Sequence, residues 1–544
     1  MAKMVMMSTF FFKSIFIFWY RFFFRPLKNL QRSVSNMITF AAHQFKYQGY
    51  DSLLHRNSNL NDHALLFDVE GALLKSSSVF PYFMLVAFEA GGLLRAIVLL
   101  LGYPFVCLVG DEMGLKIMVM VCFFGIKAER FRVGRTVLPK YLLEDVGLEM
   151  YEVVKRGGKK VGLSKLPRVM VESFLKEYLE IDFVVGRELK VFNGFYVGLM
   201  EETKTMHANL ELLVREGKGN CSHMIGISGF HNLDHSFFSI CKEVYMVREV
   251  EKKNWQNLAR DKYPKPLIFH DGRLALKPTA LTTLAMLMWL PCGFIIALIR
   301  ATSALSLPYN ISTPILTFTG HHLTTSRPKT TEKEEKLLKK GHIYACNHRT
   351  LLDPLALSFM LNRDLVAVTY SLSRMSEILA PIKTVRLTRN RDEDAKTMKR
   401  LLKQGDLVVC PEGTTCREPY LLRFSPLFSE VCDEMVPVAI DCHVTMFHGT
   451  TAGGLKCLDP LFFLMNPTPH YSVQLLEKVS PSITTSNVIN EDFARFEVAN
   501  RVQTQIGKAL GFECTQLNRK DKPLDPKKMA RPIQRFGKTY IGLE

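Results

Sequence analysis

An uncharged apolar segment, residues 279–299 (TALTTLAMLMWLPCGFIIALI), divides this chain and constrains its fold more than any other feature. As a helix the segment would be about 30 Å long, enough to cross a bilayer. Pro291 and Gly293 interrupt it, so a kinked or half-buried helical pair fits the pattern as well as one straight span. On both sides, short apolar runs alternate with amphipathic stretches, which predicts parallel-sheet α/β units. We therefore expect two α/β domains with membrane-associated helices.

The first 50 residues form a second segment suited to a membrane, with no Asp or Glu and seven Lys or Arg. Residues 4–24 are apolar enough to cross a bilayer, but Lys13 lies in the middle and Arg21 near the end. A charge at the bilayer centre costs about 3 kcal/mol, so placement in the membrane plane competes with spanning. The lack of acids is also typical of a mitochondrial presequence, which is the alternative interpretation.

Residues 79–109 and 117–126 are nearly continuous apolar runs. They are compatible with a membrane-embedded hairpin and equally with the apolar faces of buried helices. The predicted organisation is a basic apolar N-terminal membrane or targeting segment (1–50), a first α/β domain (60–250) with an apolar insertion (79–126), a membrane-associated helical segment (270–305), a second α/β domain (320–515) and a basic tail (516–544).

The composition favours a lipid partner. Lys and Arg outnumber Asp and Glu by 70 to 52, which suits an anionic partner. The 47% apolar content and the absence of zinc-finger, RNP or basic-zipper patterns argue for a lipid bilayer and against nucleic acid. None of the 12 cysteines forms a CxxC pair, which predicts reduced, buried thiols in a cytosol-facing protein. Nothing in the pattern indicates an oligomeric state.

The motif NHRTLLDP (347–354) follows a predicted strand, HIYACN, and carries the clearest chemistry. His348 precedes Asp353 by five residues, with His348 expected at a strand–helix turn and Asp353 one turn into a helix over Thr350–Leu361. An imidazole, with an ordinary pKa near 6.5, can remove the proton from a hydroxyl. A carboxylate on its other nitrogen would hold the required tautomer. The spacing therefore predicts a base for acyl transfer in which the acceptor hydroxyl is the nucleophile.

A basic block, TVRLTRNR (384–391), places Arg386, Arg389 and Arg391 within six residues. The planar guanidinium matches a phosphate dianion with two parallel hydrogen bonds. A solvated basic strand edge is the alternative interpretation of the same residues.

The block PEGTTCRE (411–418) follows the apolar strand 407–410. Glu412 is suited to hydrogen-bond substrate hydroxyls, and Gly413 would permit close approach of the backbone. Thr414 and Arg417 could contact phosphate. The same pattern is also found at ordinary helix starts, so that interpretation stays open.

The order NHxxxxD, TVRLTR, PEGTT and VPV resembles the four blocks of the phospholipid-synthesis acyltransferase family, and most closely those of land-plant glycerol-3-phosphate acyltransferases. The resemblance implies an acyl-CoA donor, glycerol 3-phosphate as acceptor with a preference for its central hydroxyl, and no cofactor. It implies His348 as base with Asp353, and Arg386, Glu412 and Gly413 on the acceptor. It also implies residence in the endoplasmic reticulum membrane with the catalytic domain facing the cytosol, a mitochondrial location being the alternative.

The motif FDVEGAL (67–73) resembles the first block of haloacid-dehalogenase-like (HAD-like) phosphatases, the Rossmann-type domain that land-plant members carry at the N-terminus. The resemblance aligns Asp68 with the nucleophile, Glu70 with the general acid and Ser164 with the hydroxyl of the second block. The magnesium block resembles GFHNLD, which keeps Asp234 but has Phe230 where a ligand belongs. Phenylalanine cannot coordinate a hard cation. We therefore expect a degenerate phosphatase site without metal.

Three functions remain as hypotheses. The first is an acyltransferase with a silent phosphatase-like domain, whose product is lysophosphatidic acid. The second is a bifunctional acyltransferase–phosphatase that releases monoacylglycerol. The third is a catalytically silent lipid-binding scaffold.

Overall fold

The computed structural model describes residues 47–54, 60–202, 223–229, 235–238, 240–328, 341–369, 382–432, 434–451, 456–480 and 491–521, together with residues 206, 208, 210, 377 and 380. The chain divides into two compact units, residues 1–292 and 293–544. Most of the predicted N-terminal segment (1–50) and basic tail (516–544) lies outside the described residues.

The first unit is built on a parallel sheet. Its strands are β1 (Tyr47–Gly49), β2 (His63–Asp68), β3 (Lys160–Pro167), β4 (Phe183–Arg187), an antiparallel hairpin of β5 (Leu189–Phe192) and β6 (Phe195–Met200), β7 (His223–Gly229) and β8 (Glu243–Val247). Six of them form a fully parallel sheet in the order β1-β8-β7-β2-β3-β4. The apolar pattern predicts strands that end at Asp68 and that cover 160–163 and 182–185, and β2, β3 and β4 confirm them.

Helices cover this sheet and form the apolar insertion. They are α1 (Tyr50–Leu54), α2 (Phe80–Gly91), α3 (Leu93–Leu108), α4 (Asp111–Phe123), α5 (Val133–Thr136), α6 (Leu138–Leu143), α7 (Leu148–Arg156), α8 (Arg168–Ser173), α9 (His235–Phe238) and α10 (Glu249–Asn254), with short 3₁₀ or π turns at Leu60–Asp62, Val69–Leu73, Ala128–Arg130, Phe174–Tyr178 and Arg260–Lys262. Most of α2 is buried inside protein, whereas α3 and α4 bury only one face each. The insertion is therefore a packed helical layer with an exposed apolar side.

The second unit has a mixed seven-stranded sheet. Its strands are β9 (His322–Ser326), β10 (Ile343–Cys346), β11 (Val366–Thr369), β12 (Lys383–Arg386), β13 (Leu407–Val409), β14 (Tyr420–Leu421), β15 (Met435–His443), β16 (His470–Leu475) and β17 (Glu513–Cys514). The large sheet runs β12-β11-β13-β10-β15-β16-β9, and its first five strands are all parallel. β14 and β17 form a separate small pair. Buried hydrophobic clusters lie on the sheet, one around Ile343, Ala345 and Leu407 and another around Tyr344, Cys346 and Val408. Alternate residues of β10 therefore point to opposite cores.

The helices of this part of the chain begin with the apolar segment. They are α11 (Ala280–Ser306), α12 (Tyr309–Phe318), α13 (Asp353–Leu361), α14 (Arg391–Leu402), α15 (Asp459–Leu464) and α16 (Glu491–Leu510), with 3₁₀ turns at Pro426–Glu430, Lys456–Leu458 and Arg519–Asp521. Among the described residues α11 alone is long and apolar enough to cross a membrane. It is one continuous helix through Pro291, so the single span is favoured over the helical pair.

Arg300, near the C-terminal end of α11, is wholly buried. Its guanidinium donates to the carbonyl oxygens of Leu464 at 2.6 Å, Asn466 at 2.7 Å and Pro467 at 3.0 Å. It also donates to the carbonyl and hydroxyl of Thr319. These acceptors lie at the C-terminal ends of α12 and α15. The last carbonyls of a helix have no partner within the helix, so the Arg300 side chain supplies donors to the ends of two helices.

We predict that Arg300→Met destabilises the protein by at least about 3 kcal/mol, because several buried carbonyls lose their donor at once. Thermal unfolding of the full chain in detergent micelles measures this. Arg363→Met is the matched control, because that half-exposed arginine makes only a 3.9 Å ion pair with Asp406. Equal melting temperatures for the two variants would show that the Arg300 contacts are dispensable.

Candidate active site

The parallel strands bring the predicted blocks to one edge of the second sheet. His348 follows β10, Arg386 ends β12, and the loop beginning at Pro411 follows β13. Because neighbouring parallel strands end at the same edge, blocks that are far apart in sequence meet there. β12 lies three strands from β10, so their backbones are roughly 14 Å apart at about 4.8 Å per strand.

His348 and Asp353 form the predicted pair. The ring Nδ1 of His348 lies 2.9 Å from Oδ2 of Asp353. The carboxylate is wholly buried, whereas 15% of the histidine side chain is exposed. With Nδ1–H donating to the carboxylate, Nε2 is left as the basic nitrogen. Burial of the ring opposes its charged form, but contacts with Cys410 and Asp353 outweigh burial and raise the pKa of His348 well above its ordinary value.

The carboxylate of Asp353 is held by the turn that precedes it. It accepts the backbone N–H of Arg349 at 2.6 Å and that of Thr350 at 2.9 Å. The helix begins at Asp353 itself, not one turn earlier as the sequence suggested. Residues 349–352 wrap around the carboxylate, and Pro354, which has no N–H, is suited to the first helical turn.

Glu412 is bonded to the backbone of the site. One carboxylate oxygen accepts the N–H of His348 at 2.7 Å and the other accepts the N–H of Leu422 at 3.0 Å. The carbonyl of His348 in turn accepts the N–H of Cys416 at 2.8 Å. Burial raises the pKa of Glu412 to about 7. The loop after β13 therefore forms hydrogen bonds with both the backbone N–H and the backbone carbonyl of His348. The predicted contact of Glu412 with a substrate hydroxyl stays a prediction.

The other predicted residues of this loop lie beside Glu412. Gly413 has a φ of +66°, which favours glycine, and a Cβ there would meet open space. Thr414 is buried and Arg417 is half-buried. The contacts predicted for Gly413, Thr414 and Arg417 with the acceptor stay predictions.

The predicted arginines lie along the edge beyond β11. Arg386 donates from Nε and Nη2 to Glu377 at 3.0 and 2.8 Å. Arg391 makes a similar fork with Glu430 at 3.0 and 2.6 Å. Arg389 has a φ of +73°, a strained conformation for this residue type. The basic block is thus structured, and a phosphate would have to compete with Glu377 for Arg386.

Three further residues at the site were not predicted. Arg349 donates to the carbonyl of Glu418 at 2.7 Å and pairs with Asp441 at 3.0 Å. Tyr471 on β16 donates to Asp353 at 3.3 Å and is hydrogen-bonded to Thr350. Cys410, the last residue before the loop, contacts the ring of His348. Arg349 lies within the predicted motif 347–354 and Cys410 directly precedes the block 411–418, whereas no local signal marks Tyr471.

The phosphatase-like site of the first unit lies at the ends of β2 and β3. Asp68 accepts the N–H of Gly71 at 3.0 Å. The carboxylate of Glu70 accepts the hydroxyl of Ser164 and the N–H of Lys165, the latter at 3.1 Å. Burial and the neighbouring Asp68 raise the pKa of Glu70 to about 7. The predicted residues Asp68, Glu70 and Ser164 do lie close together. However, the hydroxyl of Ser164 and the N–H of Lys165, which could donate to a phosphate, donate to the carboxylate of Glu70 instead.

Asp234 and Phe230 lie outside the described residues. Among the residues that the structure does describe, no three His, Cys, Asp or Glu side chains are placed to hold a metal ion. The predicted lack of a metal at this site stays a prediction.

Comparisons with known proteins agree with both halves of this description. Residues 64–247 match the family described as glycerol-3-phosphate acyltransferase RAM2-like, HAD-like domain, and residues 327–444 match the acyltransferase family. Over 88% of this chain and 92% of the relative, the sequence is 57% identical to "Probable glycerol-3-phosphate acyltransferase 2" of Arabidopsis thaliana. This chain belongs to the glycerol-3-phosphate acyltransferase family.

Other members of the family align over nearly the same length. "Probable glycerol-3-phosphate acyltransferase 3" of Arabidopsis thaliana is 54% identical over 94% of this chain and 96% of its own. "Glycerol-3-phosphate acyltransferase RAM2" of Petunia hybrida is 41% identical over 84% of this chain and 95% of its own. The predicted family and the predicted pair of α/β domains are confirmed.

The raised pKa of His348 predicts that acyl transfer rises with pH through the neutral range, because only the neutral ring can accept a proton. Asp353→Asn removes the negative charge, so the pKa of His348 should fall and the acidic limb of the profile should move to lower pH. The maximal rate should also fall about 100-fold or more, since the tautomer is no longer held. The pH dependence of kcat/KM measures both effects. Asp364→Asn, at an exposed position three residues after the end of the same helix, is the control, and an unmoved acidic limb in Asp353→Asn would contradict the assignment.

Glu412→Gln tests whether Glu412 positions the histidine or binds the acceptor. An amide can accept only one of the two backbone N–H groups, so we expect kcat to fall roughly 10- to 100-fold, a cost of about 1–3 kcal/mol. The KM for glycerol 3-phosphate should stay nearly constant. A raised KM with unchanged kcat would instead place Glu412 on the acceptor. Glu430→Gln, which alters an exposed ion pair with Arg391, is the control.

Proposed function

We propose that this protein transfers an acyl group from acyl-CoA to glycerol 3-phosphate, with a preference for the central hydroxyl, and releases lysophosphatidic acid. The observation that carries the proposal is the 2.9 Å contact between Nδ1 of His348 and the buried carboxylate of Asp353. The partial exposure of the ring, at the sheet edge that also carries the other predicted blocks, supports the same role.

In the proposed reaction, Nε2 of His348 removes the proton of the acceptor hydroxyl as its oxygen attacks the thioester carbonyl carbon. Asp353 stabilises the imidazolium that forms. Backbone N–H groups at the sheet edge stabilise the oxyanion. Collapse of the tetrahedral intermediate breaks the C–S bond, and the imidazolium returns its proton to the CoA sulfur. His348 is then neutral again, and no cofactor takes part.

The acceptor phosphate is assigned to the basic edge of the sheet. Arg386, Thr414 and Arg417 approach this edge from β12 and from the loop after β13. The roughly 14 Å between β10 and β12 accommodates a three-carbon phosphate once the long arginine side chain is included. Glu377 pairs with Arg386 at 2.8 Å and would be displaced by the dianionic phosphate.

A membrane location follows from the product and from α11. The lipid product partitions into a bilayer, and α11 is long enough to cross one. We assign the protein to the endoplasmic reticulum membrane with its catalytic unit facing the cytosol. The free thiols among the described cysteines support a reducing compartment.

We assign no phosphatase step. Glu70 binds Ser164 and the backbone of Lys165, so an incoming phosphoryl group would have to displace a buried carboxylate. The proposed product therefore keeps its phosphate.

Purified full chain assayed with glycerol 3-phosphate and a panel of acyl-CoAs should give lysophosphatidic acid without phosphate release. His348→Ala should lower the rate by about 100- to 10,000-fold without changing the melting temperature. His443→Ala, an exposed histidine of the same unit, is the matched control and should retain activity.

Two results would contradict parts of the proposal. Full activity of His348→Ala would remove the assigned base, and inactivity of the wild-type protein would favour the scaffold. Monoacylglycerol and free phosphate that disappear in Asp68→Asn would show that the first unit is an active phosphatase.

A further inference from the structure

Helix α3 exposes an apolar stripe that nothing in the described first unit covers. One side packs on α2 and α4, burying Ala96 and Leu99. The other side exposes residues spaced four and three apart, as one face of a helix requires: Leu94, Val98, Leu101, Phe105 and Leu108. Leu94 is 76% and Leu101 62% exposed. Soluble monomers rarely expose apolar side chains in a continuous patch of this size.

The stripe continues onto neighbouring elements. α4 packs beside α3 and exposes Met113 and Met120, and Phe124 is exposed directly after it. The β5–β6 hairpin packs on α4 and exposes Phe192 at 70%. We call the exposed apolar side chains of α3, α4, Phe124 and Phe192 the α3–α4 face.

The α3–α4 face lacks the groups that a directional protein contact needs. None of the exposed side chains of α3 contains a nitrogen or an oxygen atom. Arg95, the one charged residue of α3, turns inward and donates to the carbonyls of Cys122 at 2.7 Å and Phe124 at 2.9 Å. Protein interfaces ordinarily carry about one hydrogen bond per 100–200 Å², so this face suits a non-directional apolar medium.

The surroundings of the face are basic. Five Lys or Arg and one Glu occur in residues 113–135, and the exposed cations are Lys116, Lys127, Arg130, Arg132 and Arg135. The ammonium of Lys127 lies 5.3 Å from the ring of Phe195 in the hairpin. The two acids at the start of α4 offset part of this charge, since Asp111 is exposed and Glu112 pairs with Arg187 at 2.8 Å and with Lys116 at 3.4 Å, but cations still outnumber acids by five to three over residues 111–135. This charge complements anionic lipid head groups.

We propose that the HAD-like unit binds an anionic lipid bilayer through the α3–α4 face, with the axis of α3 parallel to the membrane plane. α3 has 16 residues, about 24 Å of helix, which is shorter than the roughly 30 Å apolar core of a bilayer. Its inner side is covered by α2 and α4, so only the outer side enters the lipid. The unit thus contacts the membrane by its own surface, independently of α11 and of acyl transfer.

Site-specific fluorescence of the full chain in vesicles tests the proposal. An environment-sensitive fluorescent amino acid replaces Leu101 in one protein and Glu152, an exposed residue of α7, in a second. The vesicles are phosphatidylcholine with phosphatidylserine and carry nitroxide groups on their acyl chains. We expect several-fold quenching at position 101 and none at position 152. Absent quenching at 101, or equal quenching at both positions, overturns the proposal, and an emission shift at 101 that depends only on protein concentration assigns the face to a second copy instead.

A charge variant tests the basic rim. Arg130→Glu combined with Arg132→Glu should weaken quenching at position 101 in vesicles with phosphatidylserine and leave it unchanged in pure phosphatidylcholine. Lys155→Glu, on α7, is the control. Unchanged quenching in both lipids would show that the rim does not recognise anionic lipid and would overturn that part of the proposal.

Discussion

The buried carboxylate of Asp353 sets the geometry of the catalytic unit. A carboxylate inside protein is costly unless its oxygens are hydrogen-bonded. Here the backbone N–H groups of Arg349 and Thr350, the hydroxyl of Tyr471 and the ring of His348 all approach it. Satisfying this one group forces residues 349–352 into a tight turn and holds the imidazole in one orientation. The proposed base is therefore already oriented by its hydrogen bond to Asp353.

A second buried carboxylate, in the loop after β13, also accepts backbone hydrogen bonds at this site. Glu412 accepts the N–H of His348, so the histidine is held through its backbone as well as through its ring. In the first unit Glu70 uses the same means, but there the carboxylate takes up the hydroxyl of Ser164 and the N–H of Lys165. The same kind of hydrogen bond thus holds the backbone of His348 in the second unit and the side chain of Ser164 in the first.

Apolar surface occurs on the first unit and on α11, the helix that crosses the boundary between the two units. α11 is long enough to span a bilayer, whereas α3 exposes one apolar side and buries the other. A water-soluble acceptor and a lipid product require an enzyme that works at the boundary between the two phases. Apolar elements on both units suit that requirement, because burial of apolar area in lipid is favourable without any specific contact.

Local pattern alone determined the two α/β units, the strand that ends at Asp68 and the strand–turn–helix around His348, because periodicity and turn spacing act within a few residues. Sequence could not find Tyr471, which is 118 residues from Asp353, or the backbone partners of Glu412. Those contacts depend on strand order, which local periodicity does not encode. Residues 79–126 stayed ambiguous for a related reason: a buried helix and a lipid-facing helix have similar compositions, and only packing decides which side is covered.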